Sequence, residues 1–120
     1  MPSRPVDVVV VGGGPNGIAC AVHLQRGSLQ VVVLERGRIA HNLRGYPDEM
    51  RFSSTREKMA VPGFPYDCPP HVAPDPWVGA WPADKNPTRD EAIRYYARVI
   101  ERAGLDLREG QHVVSIVRLP

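Results

Sequence analysis

The sequence has little cysteine, no excess of charge of one sign and no long apolar run, and each shortage excludes a class of protein. Cys20 and Cys68 are too few for the disulfide framework of a small secreted domain. No apolar stretch approaches the roughly 18 residues that cross a bilayer, so no membrane partner is expected. The net charge of +2 predicts no binding to nucleic acid. These features favour one cytoplasmic domain, for which 120 residues are enough.

Proline, by contrast, is abundant and concentrated in one segment. Eight of the 13 prolines fall between Pro62 and Pro87. No helix or central strand can pass through such a stretch, so an irregular segment is predicted at 62–87. Trp77 and Trp81 lie within it. A packed lid and a poorly ordered surface loop are both consistent with this composition.

A strand–helix–strand pattern occupies the N-terminal part of the chain. Residues 6–11 (VDVVVV) and 30–34 (QVVVL) are typical of strands buried on both faces of a parallel sheet. Residues 17–26 between them have helical spacing, and Gly27 is a plausible end for that helix. Cys20 is expected on its inner side as a small core residue. The pattern predicts an α/β fold with a right-handed βαβ unit.

A second helix is indicated near the C-terminus. Thr88 and Glu91 have the spacing of a capping box, and Gly104 closes the helix. The residues expected on its apolar face are Ile93, Tyr96, Ala97 and Ile100. Residues 105–109 (LDLRE) and 112–118 (HVVSIVR) then predict a short strand and a longer one.

The glycine turn after the first strand is the motif that carries chemistry. Gly12, Gly14 and Gly17 satisfy G-x-G-x-x-G, which allows a tight turn, close approach of a pyrophosphate and close helix packing. Glu35 ends the second strand, where a carboxylate accepts from a ribose and repels a 2′-phosphate. Arg36 could reach a phosphate, although a solvated arginine is the simpler interpretation. The spacing predicts FAD or NAD and leaves the choice open, beside the alternative of a glycine turn without a ligand.

Three segments give the chain a family resemblance. Residues 8–37, 42–65 (NLRGYPDEMRFSSTREKMAVPGFP) and 87–107 (PTRDEAIRYYARVIERAGLDL) resemble the N-terminal part of pyridine nucleotide-disulfide oxidoreductases, especially the YpdA-type bacillithiol disulfide reductases. The resemblance implies FAD as the cofactor and a Rossmann-like FAD/NAD(P)-binding domain. It implies pyrophosphate contacts at Gly12, Gly14, Pro15, Asn16 and Gly17, ribose at Glu35, flavin near Asn42 and adenine near the backbone of Val113.

The resemblance also implies a function for the longer protein. Its relatives transfer electrons from NADPH through FAD to a low-molecular-weight disulfide, and a homo-oligomer of the full-length form is left open. We therefore expect residues 1–120 to be the partial, N-terminal portion of such a domain, with 62–87 as an insertion. The NADPH domain is absent here, so we expect no NADPH turnover by this chain alone.

The sequence departs from its relatives in its cysteines. Asn16 stands where relatives of this type often have a cysteine, and no C-x-x-C pair is present. No catalytic residue is therefore assigned. Cys68 and His71 have no second ligand pair, so no metal site is predicted. A flavin-dependent monooxygenase and a non-catalytic nucleotide-binding remnant are the alternatives.

Overall fold

The computed structural model describes residues 5–53, 60–61, 63–64 and 86–120. Its elements are β1 (Val8–Val11), α1 (Pro15–Arg26), β2 (Val31–Leu34), a 3-10 helix (His41–Gly45), α2 (Arg89–Ala103) and β3 (Asp106–Arg108). Most of the segment predicted as an irregular insertion, 62–87, lies outside the described residues. Within the described ranges, no helix is long and apolar enough to cross a membrane.

The three strands form one parallel sheet in the order β1–β2–β3. Val8 pairs with Val31 between the first two strands, and Val32 pairs with Asp106 between the last two. The chain steps in one direction along the sheet, and parallel crossovers are right-handed, so α1 and α2 lie on the same side. The predicted α/β fold with an initial βαβ unit is confirmed.

The hydrophobic core lies between the helices and one face of the sheet, which we call the covered face. Val31 and Val33 of β2 point into it, and Val8 and Val10 of β1 pack beside them. The buried helical residues of the core are Ile18, Ala21 and Val22 of α1 and Ala92, Tyr95, Tyr96 and Val99 of α2.

The opposite face of the sheet, which we call the open face, carries neither helix. Val9 and Val11 of β1 project there and are 50% and 56% exposed. The prediction that residues 6–11 are buried on both faces is therefore wrong for β1, whose side chains alternate between half-buried and exposed. The central strand β2 fits the prediction better, because Val31, Val32 and Val33 are all buried.

Helix α1 begins earlier than its sequence pattern indicates and ends as predicted. It starts at Pro15, whose fixed φ and missing N–H suit a first helical position. Gly27 caps its C-terminus, as expected. Cys20 is exposed, so its predicted core position is wrong. It follows the buried Ile18 by two residues, about 200° around the helix.

Helix α2 has the predicted ends but a different buried face. Both halves of the capping box form, since the Glu91 N–H donates to the Thr88 hydroxyl and the Thr88 N–H donates to the Glu91 carboxylate. Gly104 closes the helix in the left-handed region, at φ 64°. The buried residues are Ala92, Tyr95, Tyr96 and Val99, so only one residue of the predicted face is fully buried.

The shift of the buried face by one position has a physical reason in Tyr95. Its hydroxyl accepts from the Val61 N–H at 2.7 Å and donates to the Phe64 carbonyl. These bonds satisfy a polar group that would otherwise be costly to bury. The helix therefore buries the ring of Tyr95, whereas apolar spacing alone predicts that Ile93 and Ile100 are buried.

Only the first of the two predicted C-terminal strands forms. Residues 105–109 contain β3, but residues 112–118 have no strand, and the prediction is wrong there. Val114, Ile116, Val117 and Leu119 are 75–83% exposed. An extended β-branched sequence becomes a strand only beside a hydrogen-bonding neighbour, and none pairs with it in the described part of the chain.

Candidate functional site

A cavity of about 380 Å³ opens at the carboxyl ends of β1 and β2. In open parallel sheets, ligands bind outside these strand ends. All but two of the predicted cofactor residues line the cavity, namely Gly12, Gly14, Pro15, Glu35, Arg36, Asn42 and Val113. Asn16 and Gly17 are not part of its lining and lie in the first turn of α1.

The glycine turn has the geometry that its spacing predicts. Gly12 has φ +112°, a conformation that favours glycine and lets the chain turn sharply out of β1. A Cβ at Gly17 would overlap the Gly12 carbonyl oxygen, so α1 packs tightly against the turn. A Cβ at Gly14 would meet no atom within 4 Å. The backbone at Gly14 therefore faces open space that a ligand group can approach.

The N-terminus of α1 is suited to an anion. Gly14 is the N-cap, no side chain caps it, and the first turn contains no acidic residue. The first amides of a helix have no intrahelical acceptor, and the helix dipole places partial positive charge there. Because Gly14 and Pro15 line the cavity, this end of α1 adjoins the space beside β1. The residues present thus fit the pyrophosphate of a dinucleotide.

Glu35 is a buried carboxylate in the cavity wall, with 8% of its surface exposed. One oxygen accepts from the Gly13 N–H at 3.0 Å, and the other accepts from the Gly37 N–H. These bonds compensate for the loss of hydration that burial of a carboxylate brings. Each carboxylate oxygen keeps a second lone pair, so Glu35 can also accept from a ribose hydroxyl.

Gly13 bonds to the Glu35 carboxylate at a position that the glycine motif leaves unspecified. Its N–H donates to Glu35, and its carbonyl accepts from the Ala40 N–H at 2.8 Å. A Cβ at Gly13 would lie 3.1 Å from the Glu35 Cβ and 3.4 Å from the Leu107 Cδ1. A glycine at the middle position of Gly12–Gly14 was the only sequence signal for this role, because its partners follow much later in the chain.

Part of the cavity wall comes from the segment after β3. Gln111 and His112 line it beside Val113, and His41 lines it from the 3-10 helix. The Gln111 N–H donates to the Glu35 carbonyl at 2.8 Å, which holds this wall against the end of β2. Gln111, His112 and His41 were not predicted as site residues, because no local motif marks them.

Metal binding has no structural support within the described ranges. They contain no group of three or more His, Cys, Asp or Glu side chains that could hold an ion. Cys68 and His71, the two residues considered from the sequence, lie outside the described part of the chain.

Comparison with known proteins assigns the chain to a family. Residues 9–119 match the family described as pyridine nucleotide-disulphide oxidoreductase. The chain belongs to this family. Membership implies a flavin cofactor, and the predicted resemblance is confirmed at this level.

Individual relatives agree with the family match and differ in size. Bacilliredoxin reductase Bdr of Bacillus subtilis (strain 168) is 27% identical over 94 residues, covering 78% of this chain and 25% of that protein. Bacillithiol disulfide reductase Bdr (YpdA) of Staphylococcus aureus superposes with a TM-score of 0.80 and 20% identity, over 98% of this chain and 32% of that one. The chain thus spans about a quarter to a third of the length of these family members.

A second group of structural neighbours has a different activity in its name. A flavin-containing monooxygenase of Stenotrophomonas maltophilia superposes with a TM-score of 0.68 and 22% identity, over 88% of this chain and 28% of that one. These similarities show the predicted Rossmann-like fold. They do not distinguish reductases from monooxygenases, because both contain this fold.

Proposed function

We propose that this chain binds FAD and is part of a flavoprotein that reduces a low-molecular-weight disulfide with NAD(P)H. The observation that carries the proposal is the pairing of an open backbone at Gly14 with a buried carboxylate at Glu35 across one cavity. The similarity to Bdr proteins, one of which is named a bacillithiol disulfide reductase, supports the choice of disulfide as the electron acceptor.

Each part of the cavity has a proposed contact with FAD. The glycine turn and the first turn of α1 hold the pyrophosphate, through Gly12, Gly14, Pro15, Asn16 and Gly17. Glu35 accepts from the adenosine ribose, and Arg36 lies at the exposed rim of the same wall. Asn42 of the 3-10 helix adjoins the flavin, and the backbone at Val113 contacts the adenine.

The proposed overall reaction converts NADPH, a proton and a disulfide to NADP⁺ and two thiols. Bound FAD supplies the two-electron transfer between these substrates. The residues of this chain bind and orient the ADP portion of the cofactor, and none is assigned to the chemical step. The nicotinamide site, the disulfide site and any homo-oligomeric contact belong to the longer protein in this proposal.

The first experiment is an absorption spectrum of the purified chain, followed by titration with FAD monitored by flavin fluorescence. We expect FAD uptake by the wild type and at least a tenfold loss of affinity in Gly14→Val, whose side chain would occupy the open space at the turn. Gly45→Val is the matched control, since a Cβ there also meets no atom within 4 Å and Gly45 does not line the cavity. A soluble, folded chain that takes up no FAD would contradict the proposal.

A flavin-dependent monooxygenase is the second candidate, favoured by the superposition on the Stenotrophomonas enzyme. We expect no steady NADPH oxidation from the 120-residue chain with added FAD. In a protein that joins this chain to an NAD(P)H-binding domain, NADPH loss that matches disulfide loss without oxygen uptake supports the reductase. NADPH loss that requires oxygen supports the monooxygenase.

A further inference from the structure

An exposed carboxylate outside the cavity is connected to the glycine turn. Glu109 follows β3, is exposed and does not line the cavity. Its carboxylate accepts from the Ile39 N–H at 2.8 Å. Beside this bond, the Gly110 N–H donates to the Gly37 carbonyl at 3.2 Å. The segment after β3 is therefore attached to residues 37–40, the turn that follows Glu35.

The next residue of that turn contacts the glycine loop directly. Ala40 is fully buried and adopts a left-handed conformation, φ 53°, which is unfavourable for a residue with a Cβ. Its N–H donates to the Gly13 carbonyl at 2.8 Å. Such a conformation persists only where neighbouring contacts enforce it. The bond between Ile39 and Glu109 is one such contact, immediately before Ala40.

We propose that Glu109 is a positioning residue for the phosphate-binding turn. Its carboxylate fixes the peptide between residues 38 and 39. The next peptide carries the Ala40 N–H, which is thereby held towards the Gly13 carbonyl and in turn holds the backbone of residues 12–14. The proposal rests on the proposed function for the nature of the ligand. Glu35 also contacts this loop, but it faces the cavity, whereas Glu109 acts only through the turn.

Hydrogen exchange in the unliganded chain tests the ordering role. We expect Glu109→Ala to accelerate exchange of the Ile39, Ala40 and Gly13 amides about threefold to tenfold, as loss of one charge-assisted hydrogen bond allows. Glu109→Gln keeps an oxygen acceptor and should restore slow exchange. Glu101→Ala is the matched control, because it removes another exposed carboxylate contact, to Arg98 on α2. Unchanged exchange of Ala40 and Gly13 in Glu109→Ala would overturn the proposal.

Titration with inorganic pyrophosphate and with FAD tests the effect on binding. Pyrophosphate has no ribose, so it reports on the glycine turn without a direct contact from Glu35. We expect Glu109→Ala to weaken both ligands by a similar factor, about threefold to tenfold, while Glu109→Gln and Glu101→Ala stay within about twofold of wild type. Equal loss in Glu101→Ala would indicate general destabilisation and overturn the proposal. If wild type binds neither ligand, the proposed function fails, and the exchange rates alone decide the role of Glu109.

Discussion

The covered and open faces of the sheet have similar valine sequences and different surroundings. Val33, on the covered face, has no exposed surface and belongs to the core that also contains residues of both helices. Val9, on the open face, is half exposed, as is its neighbour Val11. The local sequence of β1 and β2 is nearly the same, so burial depends on the surroundings of each strand. The helices cover one face, and on the open face Val32 of the central strand is buried whereas Val9 of the edge strand is not. This predicts that substitutions on the two faces have very different effects on the free energy of unfolding.

The largest expected effect comes from the turn that brings α1 onto the covered face. Gly17→Ala places a Cβ where the Gly12 carbonyl oxygen lies, and neither backbone can move without displacing α1 from the sheet. We expect a loss of about 3 kcal/mol in the free energy of unfolding, measured by urea denaturation. Gly14→Ala is the control and should change stability little. Equal stability of the two variants would contradict the packing observed at Gly17.

The next effect compares the two faces directly. Val33→Ala leaves a cavity among the helices and should cost about 2 kcal/mol. Val9→Thr keeps the β-branched shape on the open face and should change stability by less than about 0.5 kcal/mol. Both values come from urea denaturation of the same chain. A large cost at Val9 would indicate that the open face is covered in solution.

A smaller effect is expected at the start of α2, which covers the same face. Thr88→Ala removes the hydroxyl that accepts from the Glu91 N–H and should cost about 1 kcal/mol. Thr88→Ser keeps the acceptor and should recover most of that loss. Thermal unfolding followed by circular dichroism measures both. If Ser and Ala are equivalent, the capping box does not contribute as described.

The tyrosine pair of the core is expected to have the smallest effect, which appears only at alkaline pH. Burial raises the pKa of Tyr95 and of Tyr96 to about 12, with the adjacent Tyr95 as a second cause for Tyr96. A raised pKa in the folded state means that the folded chain keeps these protons longer than the unfolded chain. Ionisation of these two tyrosines therefore leaves the free energy of unfolding unchanged below about pH 10 and lowers it as pH rises towards 12. Tyr96→Phe should make this fall shallower in urea denaturation at alkaline pH, and an unchanged slope would contradict the assignment.

Local signals in the sequence predicted the fold well where a residue interacts with near neighbours. The capping box at Thr88, the turn at Gly12 and the C-terminal ends of both helices depend on contacts within a few positions. The predictions failed where distant contacts decide. The face of α2 follows the bonds that Tyr95 makes to Val61 and Phe64. The exposure of β1 follows from the side on which the helices lie and from the edge position of β1 in the sheet.

The candidate site shows the same limit. Gly12, Gly14 and Glu35, all named from the sequence, line one cavity, because parallel pairing brings the carboxyl ends of β1 and β2 together. Their proposed contacts with FAD stay predictions. Gly13 and Gln111 were not predicted, because each contributes through backbone groups that bond to residues distant in sequence. Backbone groups are present at every residue, so no residue type marks such a role.

The register of the sheet also has a consequence for the order of folding. The pairing of Val8 with Val31 closes a short loop, whereas the pairing of Val32 with Asp106 closes one about three times as long. Closing the longer loop costs about 1 kcal/mol more in chain entropy. We therefore expect β1, α1 and β2 to form before β3 joins. Substitutions in α1 should then slow folding, whereas those in β3 should mainly accelerate unfolding.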